Sequence, residues 1–131
     1  MFQIHVTTEE RKMRSENIEY SHKGATLEGF FAYDDASEAK RSGVVICHAW
    51  GGRDDFVIDK AHKLAARGYA AFALDMFGKG VLGSGPEENQ KLIQPFVEDR
   101  ALLRDRMLAG LMTLANQSIV DADRIAAIGF C

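Results

Sequence analysis

The stretch Asp121-Ala122-Asp123-Arg124-Ile125-Ala126-Ala127-Ile128-Gly129-Phe130-Cys131 decides the fold. A polar turn leads into a short apolar run, and the run ends in glycine, any residue, cysteine. A continuous apolar run bounded by turn residues marks a strand buried on both faces, as in a parallel sheet. The cysteine then stands at the end of that strand.

Two upstream stretches have the same character. Gly43-Val44-Val45-Ile46-Cys47-His48 is a second buried strand, broken by Gly51-Gly52. Asp54 or Asp55 is placed to cap a helix, with Val57, Ala61, Leu64 and Ala65 at helical spacing and Gly68 as its left-handed stop. Tyr69 to Leu74 is a third buried strand. Asp75 to Pro95 is a long glycine-bearing loop with a helical turn around 87–93. A long helix is predicted from Phe96 to about Asn116. It carries Leu103, Met107, Leu111 and Leu114 on one face, and Glu98, Asp99, Arg104, Asp105 and Arg106 on its wetter sides.

Ahead of these, Ile18 and Tyr20, then Leu27, Gly29 and Phe31, alternate with polar or small residues across Lys23-Gly24. That pattern predicts an antiparallel hairpin at a sheet edge. Residues 1–16 form a lead-in arm, and 34–42 a polar connection. Hairpin followed by strand–helix–strand–helix–strand predicts an α/β fold with a mostly parallel sheet, helices on both faces and right-handed crossovers.

The 131 residues allow one domain. A composition of 47% hydrophobic and 27% charged residues is that of an ordinary globular chain. A net charge of -3 with no basic stripe argues against nucleic acid as a partner. The first residues lack the apolar core of a signal peptide, and no run approaches the roughly 18 apolar residues of a membrane span. Cys47 and Cys131 form no spaced framework, which fits a reducing cytoplasm.

Three stretches together resemble the dienelactone hydrolase family of α/β-hydrolases. They are Val44-Val45-Ile46-Cys47-His48-Ala49-Trp50-Gly51-Gly52, then Arg67-Gly68-Tyr69-Ala70-Ala71-Phe72-Ala73-Leu74-Asp75-Met76-Phe77-Gly78-Lys79-Gly80, then Asp121 to Cys131. Gly-x-Cys after a strand is the first half of a nucleophile elbow. The resemblance implies an α/β-hydrolase-type sheet that is incomplete in this chain. Residues 1–131 would be the N-terminal portion of one such domain, whose remainder follows or comes as a second chain. It further implies hydrolysis of a small ester or lactone without metal or organic cofactor.

Carried onto this sequence, the family pattern makes Cys131 the nucleophile, attacking an acyl carbon as the thiolate. The alternative is a structural cysteine packed as a small hydrophobe. The loop 48–52 resembles the oxyanion loop, with the Trp50 amide as donor and two glycines permitting close approach. A plain strand-to-helix turn is the alternative. Ala49 departs from the carboxylate that well-known members carry there. Lys79 falls where some members place a cation for a substrate carboxylate, and a solvated loop lysine is the equal alternative. Phe77 and Trp50 supply pocket walls or ordinary core.

His48 is a remote candidate base, His62 sits on a helix face, and His5 and His22 lie upstream. Asp75 reads as a loop cap. In this fold the triad acid and histidine follow the nucleophile, so they would lie beyond Cys131. Two other functions stay open. One is a non-catalytic hydrolase-fold piece that binds a partner chain, and the other is thiol redox chemistry between Cys47 and Cys131.

Overall fold

The computed structural model describes residues 12–130. The hairpin forms as the alternation predicts. Strand β1 (Met13–His22) pairs antiparallel with β2 (Ala25–Asp34). Lys23 and Gly24 both take positive φ, 49° and 80°, the tight-turn geometry that matches the twist of two antiparallel strands. β1 already includes residues 13–16 of the expected arm, and the first eleven residues, His5 among them, lie outside the described part.

The apolar runs become β3 (Arg41–Cys47), β4 (Ala70–Ala73) and β5 (Val120–Gly129), in the sheet order β1-β2-β4-β3-β5. β4 and β5 flank β3 in parallel, while β2 meets β4 antiparallel. The sheet is therefore mixed, with its parallel part at the end that the sequence singled out. The turn expected at 121–124 is an irregularity within β5. Ser42 faces Asp121, but the next residue, Gly43, faces Ile125. The Asp121 carboxylate accepts from the Asp123 amide at 3.0 Å and pairs with Arg124 at 2.9 Å.

Helix α1 (Asp55–Ala66) is capped by Asp54, whose carboxylate accepts from the Val57 amide. It ends as expected at Gly68, with Gly68 N–H on Ala65 O at 3.0 Å and Tyr69 N–H on Leu64 O at 3.2 Å. α1 lays Val57, Ala61 and Ala65 on Ala32, Val44, Ile46, Ala71 and Ala73. These small and branched side chains let helix and sheet approach closely. The opposite sheet face, with Phe31, Val45, Phe72 and Leu74, packs against Phe96 and Leu114.

The second crossover differs from expectation. There are two helices, α2 (Pro86–Glu98) and α3 (Arg100–Ala115), and the break falls at Asp99 rather than before Phe96. Pro95 sits inside the last turn of α2, and the Asp99 carboxylate caps α3 by accepting from the Leu102 amide at 3.0 Å. The buried face of α3 is Arg106, Gly110 and Leu114. Leu103, Met107 and Leu111 are half-buried beside it. Arg106 is thus a correction: its side chain lies against the core, not on a wet side.

Candidate active site

β3 and β4 deliver two loops to one end of the sheet, and the final residues of β5 arrive beside them. Cys47 is paired with Gly129, and the Phe130 amide donates to Cys47 O at 3.1 Å. The backbone leading to Cys131 is therefore locked next to the end of β3. Cys131 itself lies outside the described residues. Phe130 turns to the α1 side, where its ring meets Phe56 edge-on at 5.0 Å.

The loop after β3 opens with a tight turn in which the Gly52 amide donates to Ala49 O at 3.1 Å. Gly52 holds φ +106°, and a Cβ there would come within 3.1 Å of Val81 O. Glycine is required at that position on both counts. The Trp50 amide donates to no partner among the described residues.

The loop after β4 is held at every amide from 75 to 79. Asp75 N–H donates to the Tyr20 hydroxyl at 3.0 Å, and Met76 N–H to His48 Nε2 at 3.1 Å. Phe77 and Gly78 donate to Asp75 Oδ1 at 3.0 and 3.1 Å, and Lys79 to Thr26 O at 2.9 Å. Asp75 Oδ2 accepts from the Glu28 amide at 3.0 Å. Asp75 caps the loop, as its position suggested. Met76 O accepts from Arg106 Nη1 at 2.8 Å, and Arg106 Nε donates to His22 Nδ1, also at 2.8 Å.

Between these loops lies a cavity of about 110 Å³ lined by Cys47, His48, Ala49, Trp50, Met76, Phe77, Ile93, Phe96, Leu103 and Met107. Trp50 and Phe77 are thus brought together, with no carboxylate, ammonium or guanidinium on the lining. Lys79 is not part of it. Its ammonium pairs with the Glu19 carboxylate and lies 3.8 Å from Glu28, which in turn binds Arg53 at 3.2 Å. A longer apolar groove of about 610 Å³ continues from the cavity between α3 and the β3–β5 face, sharing Cys47, Phe96, Leu103 and Met107.

Burial pushes the Cys47 thiol above the usual cysteine range, which keeps it protonated and poorly nucleophilic. Burial also holds His48 below the ordinary imidazole value. Both His48 ring nitrogens are committed, Nδ1 to Ala49 O at 2.7 Å and Nε2 to the Met76 amide. It has no free lone pair for general-base work. His62 packs edge-on against Phe30 at 5.1 Å, on the α1 side. Among the described residues no group of three or more His, Cys, Asp or Glu is arranged to hold a metal ion, and no helix is long and apolar enough to cross a membrane.

The sequence reading missed the supports of the site, namely Tyr20, Arg106 and the tie through His48. One signal was present. Leu103, Arg106, Gly110 and Leu114 follow one another at three- and four-residue steps, which places the arginine on an apolar helix face.

The sequence model of the dienelactone hydrolase family matches residues 27–131. Among solved structures, m3DLH is 37% identical, with a TM-score of 0.87 over 91% of this chain and 50% of its own. A dienelactone hydrolase-like promiscuous phosphotriesterase, P91, from metagenomic libraries is 34% identical, with a TM-score of 0.86 over 91% of this chain and 49% of its own. A putative dienelactone hydrolase from Klebsiella pneumoniae subsp. pneumoniae shares the fold at a TM-score of 0.77 with 17% identity, covering 92% of this chain and 50% of its own. No curated protein sequence matches. The chain spans about half the length of the solved structures it matches. The family match takes in both loops and the Gly-Phe-Cys strand end, and the chain belongs to the dienelactone hydrolase family.

Proposed function

We propose that the protein is a cysteine-dependent hydrolase of small esters or lactones, with Cys131 as nucleophile. The thiolate adds to the acyl carbon, the alkoxide leaves as the alcohol, and water then cleaves the thioester to release the acid. The Trp50 amide stabilises the oxyanion, and Trp50 and Phe77 form the wall on this side. One observation carries this: β5 brings Gly129 and Phe130, the two residues before Cys131, alongside Cys47, next to a loop whose Trp50 amide has no partner among the described residues. A histidine and an acid from outside residues 1–131 activate the thiol, since both nitrogens of His48 are engaged. The setting is a reducing cytoplasm, and no cofactor takes part.

Incubation of the completed domain with an activated ester, followed by intact-mass measurement, is expected to show an acyl adduct on Cys131. Cys131→Ala abolishes the adduct and lowers turnover by at least about 10³-fold, whereas Cys131→Ser keeps a residue of activity. Undiminished turnover in Cys131→Ala removes the hydrolase assignment. Lys79 serves a substrate carboxylate only by exchanging Glu19 and Glu28 for it. Lys79→Met then raises KM for a carboxylated lactone at constant kcat. An unchanged KM leaves Lys79 as a tie between hairpin and loop.

A second reading is a hydrolase-fold piece that acts by binding a polypeptide supplying the other half of the domain. It is favoured by the outer edge of β5, where Ala126, Ala127 and Ile128 are exposed, and by the apolar groove beside α3. Such an edge pairs readily with another strand. Co-elution with a complementary polypeptide and no ester turnover in the complex would select it.

A further inference from the structure

The peptide between Ala49 and Trp50 is held through its carbonyl. Ala49 O accepts from the Gly52 amide at 3.1 Å and sits 2.7 Å from His48 Nδ1. In a trans peptide the carbonyl and the following N–H point in opposite directions. Fixing the one therefore aims the other, and the Trp50 N–H is the one left without a partner among the described residues. Gly52 alone leaves that plane free to rock about its turn. His48 adds a second anchor, because its Nε2 accepts from the Met76 amide at 3.1 Å. Met76 belongs to the loop in which every amide from 75 to 79 is bonded, so the anchor is rigid.

A ring that donates through Nδ1 and accepts through Nε2 is neutral and restricted to one tautomer. The surroundings agree with the neutral form. The Phe77 ring packs edge-on at 4.9 Å, and the imidazole is half-buried. The charged groups whose fields reach it are Asp75 after β4, Asp54 at the start of α1, and Arg53 between β3 and α1. The two carboxylates favour the cation, the guanidinium opposes it, and burial outweighs them. A proton on Nε2 would also set two N–H groups against each other at Met76.

We infer that His48 is a positioning residue that aims the Trp50 amide at the developing oxyanion by clamping the Ala49 carbonyl to the Met76 loop. The role rests on the hydrolase proposal above. Its geometry does not, and the two are tested apart.

Nitrogen-15 NMR of histidine-labelled protein reads the ring directly. A protonated Nδ1 and an unprotonated Nε2 are expected at neutral pH. An Nε2–H tautomer or an imidazolium there overturns the clamp. Kinetics on an activated ester then read the role. His48→Phe keeps the ring shape and removes both bonds. It is expected to lower kcat by about 10- to 100-fold with little change in KM, short of the 10²–10³ cost of deleting an oxyanion donor. His48→Asn, which retains a donor near the Nδ1 position, recovers most of that loss. Equal kcat in His48→Phe and the unmodified protein, or a fall that His48→Asn does not recover, overturns the inference. Absence of turnover in the unmodified protein with the whole hydrolase domain present instead overturns the hydrolase proposal, and the role with it, while the NMR result on the ring stands.

Discussion

Asp75 is the residue on which the loop after β4 is built. Its carboxylate collects the amides of Glu28, Phe77 and Gly78. Asp75→Ala leaves three N–H groups without acceptors, each costing about 1–3 kcal/mol when buried. A loss of about 3 kcal/mol or more in urea-unfolding stability is expected, and a loss under 1 kcal/mol would show that water replaces the carboxylate. That cap was legible in the sequence, because an aspartate followed by amides two and three residues on forms a local turn. His48 and Arg106 were not legible in the same way. Their partners, a donor and an acceptor respectively, are the N–H and the carbonyl of Met76, 28 and 30 residues distant. No local spacing encodes a side chain that binds remote main chain. Trp50 and Phe77 were legible as pocket walls or ordinary core, and their meeting on one cavity needed the register of β3 against β4.

At the scale of elements, α3 approaches the sheet where it carries no side chain. A Cβ on Gly110 would lie 2.8 Å from Leu74 Cβ and 3.3 Å from the Tyr20 hydroxyl. Helix propensity alone would favour alanine by about 1 kcal/mol, but overpacking costs about 1–3 kcal/mol. Gly110→Ala is therefore expected to destabilise, and a raised thermal midpoint would contradict that packing. Asp99→Ala should cost about 1 kcal/mol by loss of the cap, with lower helicity by circular dichroism. The boundary between α2 and α3 was read at Pro95, four residues early, because proline is a common helix start. Here Pro95 forfeits a single hydrogen bond inside α2, while Asp99 supplies the cap that lets α3 change direction. The buried strands were legible because runs such as 43–47 and 70–74 have no polar face to offer water.

For the whole molecule, pH sets stability from two sides. Burial holds His48 below the ordinary value, and burial together with Arg106 does the same for His22. In the unfolded chain both bind a proton near pH 6.5. Below about that pH the unfolded state therefore binds more protons, and stability falls as pH falls. Burial raises Tyr20 to about 12, whereas unfolded tyrosine ionises near 10. Stability should fall again as pH rises from about 10 to 12, by about 2–3 kcal/mol. Urea midpoints across pH would show both limbs, and Tyr20→Phe should flatten the alkaline one.

The fully bonded segment 75–79 has a last consequence. A connection whose successive amides are all occupied should resist deuterium uptake like a strand interior, although it contains no regular structure. Phe77 then stands on an unyielding mount. Molecules entering beside it would be sorted by fit to a fixed contour, and bulkier ones turned away rather than accommodated by a swinging flap.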